Sequence, residues 1–74
     1  MKEKILEILS GIKPEADFTA SRNFVMDGLL DSLGMVTLME EIEEEYDITI
    51  PASEISLKNF STIESIVALV EKYM

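Results

Sequence analysis

Residues 31–46 read DSLGMVTLMEEIEEEY. Within them Met35, Leu38, Met39, Ile42 and Tyr46 recur at steps of three and four, the spacing that lays side chains along one face of a helix. Glu40, Glu41, Glu43, Glu44 and Glu45 occupy the remaining faces. Asp31 precedes the periodic run and suits an N-cap, because its carboxylate can accept from the free amides of the first turn. A capped, acidic helix over 32–46 with one apolar stripe is therefore predicted, and the rest of the chain must cover that stripe.

Towards the C-terminus, DITIP (47–51) alternates apolar and polar residues, but no other segment offers a convincing partner strand. It is predicted as an extended connector whose Ile48 and Ile50 plug the core. SEISLKN (53–59) allows one short helical turn, or two. Ser61-Thr62-Ile63-Glu64 has the S-x-x-E pattern of a capping box, in which serine and glutamate each satisfy a free amide of the other's turn. A last helix follows, with Ile63, Ile66, Val67, Val70 and Tyr73 as its stripe up to the chain end. Towards the N-terminus, residues 12–31 lack periodicity and carry Pro14, Asp17, Thr19, Ser21, Asn23, Asp27 and Gly28, a long loop. Loops of this length are uncommon unless functional or pinned from beneath. Phe18, Phe24, Val25, Leu29 and Leu30 are the residues able to pin it. Residues 2–11, KEKILEILSG, set Ile5, Leu6, Ile8 and Leu9 on one side of a first helix. Gly11 is expected to end that helix in a left-handed conformation, and Pro14 cannot continue it. The expected fold is all-α: a small four-helix bundle of three longer helices and one short one, in a single domain over residues 1–74.

Seventy-four residues are too few for two cores, and leave no room for an elaborate active site. The absence of cysteine excludes a disulfide framework, a thiolate nucleophile and a cysteine metal site. The apolar runs are far shorter than a membrane span, and no signal-peptide pattern opens the chain, so a soluble, cytoplasmic protein is expected. Fifteen acids against six bases give a formal net charge of -9. The bases, Lys2, Lys4, Lys13, Arg22, Lys58 and Lys72, form no patch along the sequence, which argues against nucleic acid. The acids concentrate: Asp31 to Asp47 holds seven of them and no base, a surface that steers towards basic partners. Neither DGLLDSLG nor EEIEEEYD has the order of a calcium-binding loop, so no dedicated metal site is expected.

Ser32 remains to be explained. A catalytic serine needs a base to take its proton, and the chain has no histidine and no lysine between Lys13 and Lys58. Ser32 could be no more than the first residue of a helix. With Asp31 as the cap, however, its hydroxyl is free to face outwards beside Leu33 and Val36, a suitable target for another enzyme. The helix N-terminus, with unpaired amides and partial positive charge, also favours an attached phosphate.

GLLDSLG followed by MVTLMEEIEEEYDITIP resembles the acyl carrier proteins, whose Asp-Ser-Leu motif opens the second of four helices. The likeness runs from the first helix through the long loop, the motif, the acidic helix, the I-x-I-P connector and the capped last helix. It implies that Ser32 carries a 4'-phosphopantetheine arm, taken from coenzyme A and joined through a phosphodiester, whose thiol holds acyl or aminoacyl groups as thioesters. It further implies that Asp31 helps the modifying transferase and its metal engage. Leu33 and Val36 resemble the family's apolar recognition contacts, and Glu40, Glu41 and Glu44 its acidic contacts for partners' arginines and lysines. The implied partners are a phosphopantetheinyl transferase, an acyl- or aminoacyl-loading ligase and downstream acyl-transfer enzymes.

Two departures bear on the cargo. Glu40 stands where fatty-acid carriers often place methionine, and Leu29-Leu30 where they more often have Gly-Ala. LLDSLG and IPASE are closer to D-alanyl carrier proteins and to free-standing carriers from other pathways; D-alanyl carriers usually have phenylalanine at the position of Leu33, which leaves the cargo open. A carrier contributes no chemistry of its own, which accounts for the missing cysteine and histidine. Not an enzyme, and a monomer, is the expectation. The competing reading is an acidic helical adaptor that is never modified.

Overall fold

The computed structural model describes residues 1–74 and contains helices and turns but no strand. The acidic helix spans Ser32–Tyr46, as its periodicity requires, and is preceded by α1 (Lys2–Ile12) and called α2 here. Met35, Leu38, Met39 and Ile42 are buried on its inner face, while Tyr46 at its end is half-buried. Beyond α2, a 3-10 turn (Ala52–Glu54) leads to α3 (Leu57–Phe60) and α4 (Ile63–Lys72). α1 packs against both α2 and α4, and α3 packs on α4.

One core joins all of these parts. Ile5 and Leu9 of α1 meet Leu38 and Ile42 of α2, Phe60 of α3, and Ile66, Leu69 and Val70 of α4. Ile50 enters from the connector as expected, with Ile48 half-buried beside it. Phe60 and Leu69 are core residues that the sequence pattern passed over: a four-residue helix has no period to read, and Leu69 flanks the stripe of α4.

The segment between α1 and α2 is a loop pinned from below. Phe18 and Phe24 pack edge to face with ring centroids 5.1 Å apart, a geometry in which a positive ring edge meets a negative ring face. Phe18, Phe24 and Leu30 are buried, and Val25 and Leu29 are half-buried. The Phe24 carbonyl accepts from both Leu29 N and Leu30 N, and Phe24 N donates to the Ser61 carbonyl at 2.7 Å. The loop is thereby tied to the junction between α3 and α4.

Two helix ends differ from expectation. Gly11 lies inside α1, which runs on to Ile12 and is capped by Lys13 at φ -141°, so no left-handed glycine ends it. Pro14 alone excludes further helix, and α1 closes through Lys13 N donating to the Leu9 carbonyl at 3.0 Å. At α4 the capping box is displaced by one residue. Thr62, not Ser61, is the N-cap: Ser65 N donates to Thr62 Oγ1 at 3.0 Å, and Thr62 N donates to Ser65 Oγ at 3.2 Å. Ser65 can replace glutamate at the third position because its short hydroxyl also reaches the cap amide. Ser61 is then left to hold Phe24, and Glu64 faces solvent in the first turn, where the helix dipole favours an acid.

Candidate functional site

The site is built on the start of α2. Asp31 has extended backbone (φ -98°, ψ -176°), and its Oδ1 accepts from Gly34 N at 2.7 Å, so it is the N-cap that its position predicts. Gly34 packs closely there, and a side chain would crowd its neighbours. A Cβ at this position would stand 3.1 Å from Leu30 Cδ1 and 3.2 Å from the capping oxygen itself. The side-chain hydrogen bonds of this first turn run from Gly34 N to Asp31 and from Thr37 Oγ1 to the Leu33 carbonyl, and neither uses the serine hydroxyl. Ser32, the first helical residue, is exposed.

Leu33 is 74% exposed and Val36 38% exposed, a cost in apolar surface that contributes nothing to the core. Glu40, Glu41 and Glu44 are exposed as well. Steps of three and four place Leu33, Val36, Glu40 and Glu44 in one line along the helix, opposite the core stripe. Glu41 lies at the edge of that line, where it shares a shallow recess with Ile8, Gly11, Ile12 and Thr37. The structure therefore brings together, around Ser32, an apolar pair and a descending row of carboxylates.

The other two glutamates of the run have structural partners. Glu43 Oε2 accepts from Ile50 N at 2.7 Å and holds the connector against α2. Glu45 Oε1 lies 3.8 Å from Lys4 Nζ of α1. Asp47 ends α2 in the left-handed region at φ 53°, a conformation that aspartate tolerates better than most residues.

Beside the start of α2 lies an open depression of about 450 Å³, whose lining includes Lys13, Gly28, Leu29, Asp31 and Leu33. Lys13 Nζ donates to the Gly28 carbonyl at 3.1 Å, which ties the end of α1 to the turn that leads into the motif. Gly28 adopts φ +75°, which a residue with a side chain would resist. No sequence signal marked Lys13: a lone lysine fifteen residues from Gly28 is joined to it only by the fold. No group of three or more possible metal ligands comes together anywhere.

These features fit a phosphopantetheine group. Its attachment needs an accessible hydroxyl released from capping duty, and Ser32 is both exposed and unused by the cap. Its single phosphodiester charge would meet the amide-rich end of a fifteen-residue helix, a favourable location opposed in part by Asp31.

Comparison with known proteins agrees. Residues 3–70 match the phosphopantetheine attachment site family. The D-alanyl carrier protein of Listeria welshimeri is 39% identical over 72 residues, covering 95% of this chain and 92% of that protein. Aminoacyl carrier protein 1 of Bradyrhizobium diazoefficiens is 36% identical over 74 residues, 95% of this chain and 81% of that one. The D-alanyl carrier protein of Lactococcus lactis subsp. cremoris is 31% identical, over 97% of this chain and 94% of its own length. The chain belongs to the phosphopantetheine-binding carrier proteins, and it holds acyl or aminoacyl groups on covalently attached 4'-phosphopantetheine.

Proposed function

We propose that residues 1–74 act as one monomeric carrier domain in the cytoplasm, modified at Ser32 and without catalytic activity of its own. The observation that carries the site assignment is the division of labour at the start of α2: Asp31 caps the helix, and the exposed Ser32 hydroxyl is left for modification. With no histidine in the chain, the proton leaving Ser32 Oγ on attachment goes to a base of the transferase. When bound, the group supplies the thiol on which cargo is carried as a thioester. Everything else is recognition. Asp31 stands next to the serine, where its outward oxygen can engage the transferase's metal. Leu33 and Val36 offer apolar contact, and Glu40, Glu41 and Glu44 draw basic surfaces of the transferase, the loading ligase and the acceptor enzymes.

The cargo we infer is a small aminoacyl group. The D-alanyl and aminoacyl carriers similar to this chain support that reading. No helix is long and apolar enough to cross a membrane.

Intact-protein mass spectrometry tests the assignment, after incubation with coenzyme A, magnesium and a broad-specificity phosphopantetheinyl transferase. Wild-type protein is expected to gain one phosphopantetheine, and Ser32→Ala none while keeping its helical circular dichroism. A gain on Ser32→Ala would move the attachment site elsewhere. No gain on wild type, with a known carrier modified in parallel, would favour the unmodified adaptor. Loading of the modified protein by D-alanine, glycine or short fatty acids, with ATP and the respective ligases, then identifies the cargo.

A further inference from the structure

Met26 is 79% exposed, the largest exposure among the large apolar side chains left in solvent. Single exposed apolar residues are ordinary. This one is not isolated: of the five large apolar residues left in solvent, Met26, Leu33, Val36, Leu57 and Met74, the first three flank the candidate attachment serine in sequence. The turn that carries Met26 is also held firmly. Asn23 Oδ1 accepts from Met26 N at 2.9 Å and from Val25 N at 3.2 Å. Asp27 N donates to the Asn23 carbonyl at 3.0 Å and Gly28 N to the Val25 carbonyl at 3.1 Å. Ser21 Oγ donates to Asp27 Oδ2 at 2.6 Å. Gly28, which closes the turn, and Leu33 line the same depression, so the turn and the first turn of α2 form adjoining walls.

We propose that Met26 is a second apolar anchor of the recognition surface, presented by a hydrogen-bonded turn whose closing Gly28 shares a depression with Leu33. The partner it fits is a carrier-processing enzyme with an apolar recess bordered by arginine or lysine. The recess would receive Met26 and Leu33, and the basic border would face Glu40 and Glu44. Charge complementarity selects this occupant, since the chain has no base between Arg22 and Lys58, the interval that holds Met26, Leu33, Val36, Glu40 and Glu44. A second copy of the chain, at net charge -9, would be repelled. Methionine suits a surface that several enzymes must recognise in turn, because its unbranched, polarisable side chain adapts to recesses of different shape. A turn already ordered by its own hydrogen bonds loses little freedom on docking. This inference rests on the carrier reading of Ser32 and adds a determinant outside α2.

Met26→Glu, Met26→Ala and Met26→Leu test it, with Leu33→Ala for comparison. All three Met26 variants should keep the wild-type urea midpoint, because the side chain contributes nothing to the core. Two probes are used: a broad-specificity phosphopantetheinyl transferase with coenzyme A, and a D-alanine-activating carrier ligase with ATP. With at least one of them, Met26→Glu is expected to lower kcat/KM about tenfold, chiefly through KM, and Met26→Leu to restore it. That loss should persist at high salt, whereas the loss from charge reversal at Glu40 and Glu44 should shrink. Rates for Met26→Glu within about twofold of wild type with both enzymes would overturn the anchor alone. Failure of wild type to gain phosphopantetheine would overturn the Ser32 reading, and the anchor with it.

Discussion

Neighbouring glutamates of α2 carry different work, and only their surroundings tell them apart. Glu43 accepts the Ile50 amide at 2.7 Å in a half-buried position, whereas Glu44 is exposed with no such partner. Removing Glu43 leaves an N–H without an acceptor where water reaches it poorly, a loss of about 1–2 kcal/mol. Glu43→Ala is therefore expected to lower the unfolding free energy by that amount in urea titrations, while Glu44→Ala stays within about 0.5 kcal/mol of wild type. Their effects on phosphopantetheine transfer should be the reverse, with Glu44→Ala the slower substrate. In sequence the two residues are equivalent members of an acidic run. Nothing in the spacing says that the connector folds back across one side of α2.

At the level of elements, the 3-10 turn before α3 is fastened to the end of α4 by one side chain. Glu54 Oε2 accepts from Lys72 Nζ at 2.8 Å and from Tyr73 OH at 2.5 Å. Asn59 Nδ2 donates to the Glu54 carbonyl at 2.7 Å and closes the clasp on α3. The Lys72 ammonium, and after it the Tyr73 hydroxyl, hold the Glu54 carboxyl below its ordinary 4.5. The same carboxylate raises Lys72 above 10.5 and Tyr73 above 10.0. The depressed acid contributes its stability above pH 4.5 and loses it as pH falls through the lower folded value. The raised lysine and tyrosine contribute fully below their ordinary values and lose their share as pH rises through the folded ones. Thermal unfolding of Glu54→Gln should therefore lie below wild type at about pH 7, with the gap closing as pH falls through the lowered Glu54 value and the wild-type carboxyl becomes neutral. A gap independent of pH would mean that the clasp owes nothing to its charge. These contacts are invisible in sequence, since eighteen and nineteen residues separate the partners and no period links them.

For the whole molecule the dominant feature is charge. A net -9 on 74 residues repels itself, so raising salt from roughly 0.1 M to 1 M, which shortens the screening length from about 10 Å to about 3 Å, should raise the thermal midpoint at neutral pH. The same screening should slow recognition. Joint Glu40→Lys, Glu41→Lys and Glu44→Lys is expected to reduce transferase kcat/KM at low salt by about tenfold, with the deficit shrinking as salt rises. Stopped assays across a salt series measure both. An unchanged salt slope in the triple variant would show that these carboxylates do not steer. The carrier's tasks and its stability thus place opposite demands on one surface, and the modest core beneath it must hold against the repulsion.

Periodicity, capping chemistry and composition were enough to define the α2 stripe, the Asp31 cap, the pinned loop and the exposed serine with its apolar and acidic neighbours. All of these depend on residues within a few positions of one another, where helical geometry converts spacing directly into direction. Tertiary structure decided what depends on distant segments meeting. It shifted the last capping box from Ser61 to Thr62, because the Ser61 carbonyl is engaged by Phe24. It placed Lys13 against Gly28, Glu43 against Ile50 and Glu54 against Tyr73, and it left Met26 outside the core that its hydrophobicity would suggest. Local sequence sets which way a side chain points, but burial and pairing depend on what the rest of the chain brings to that side.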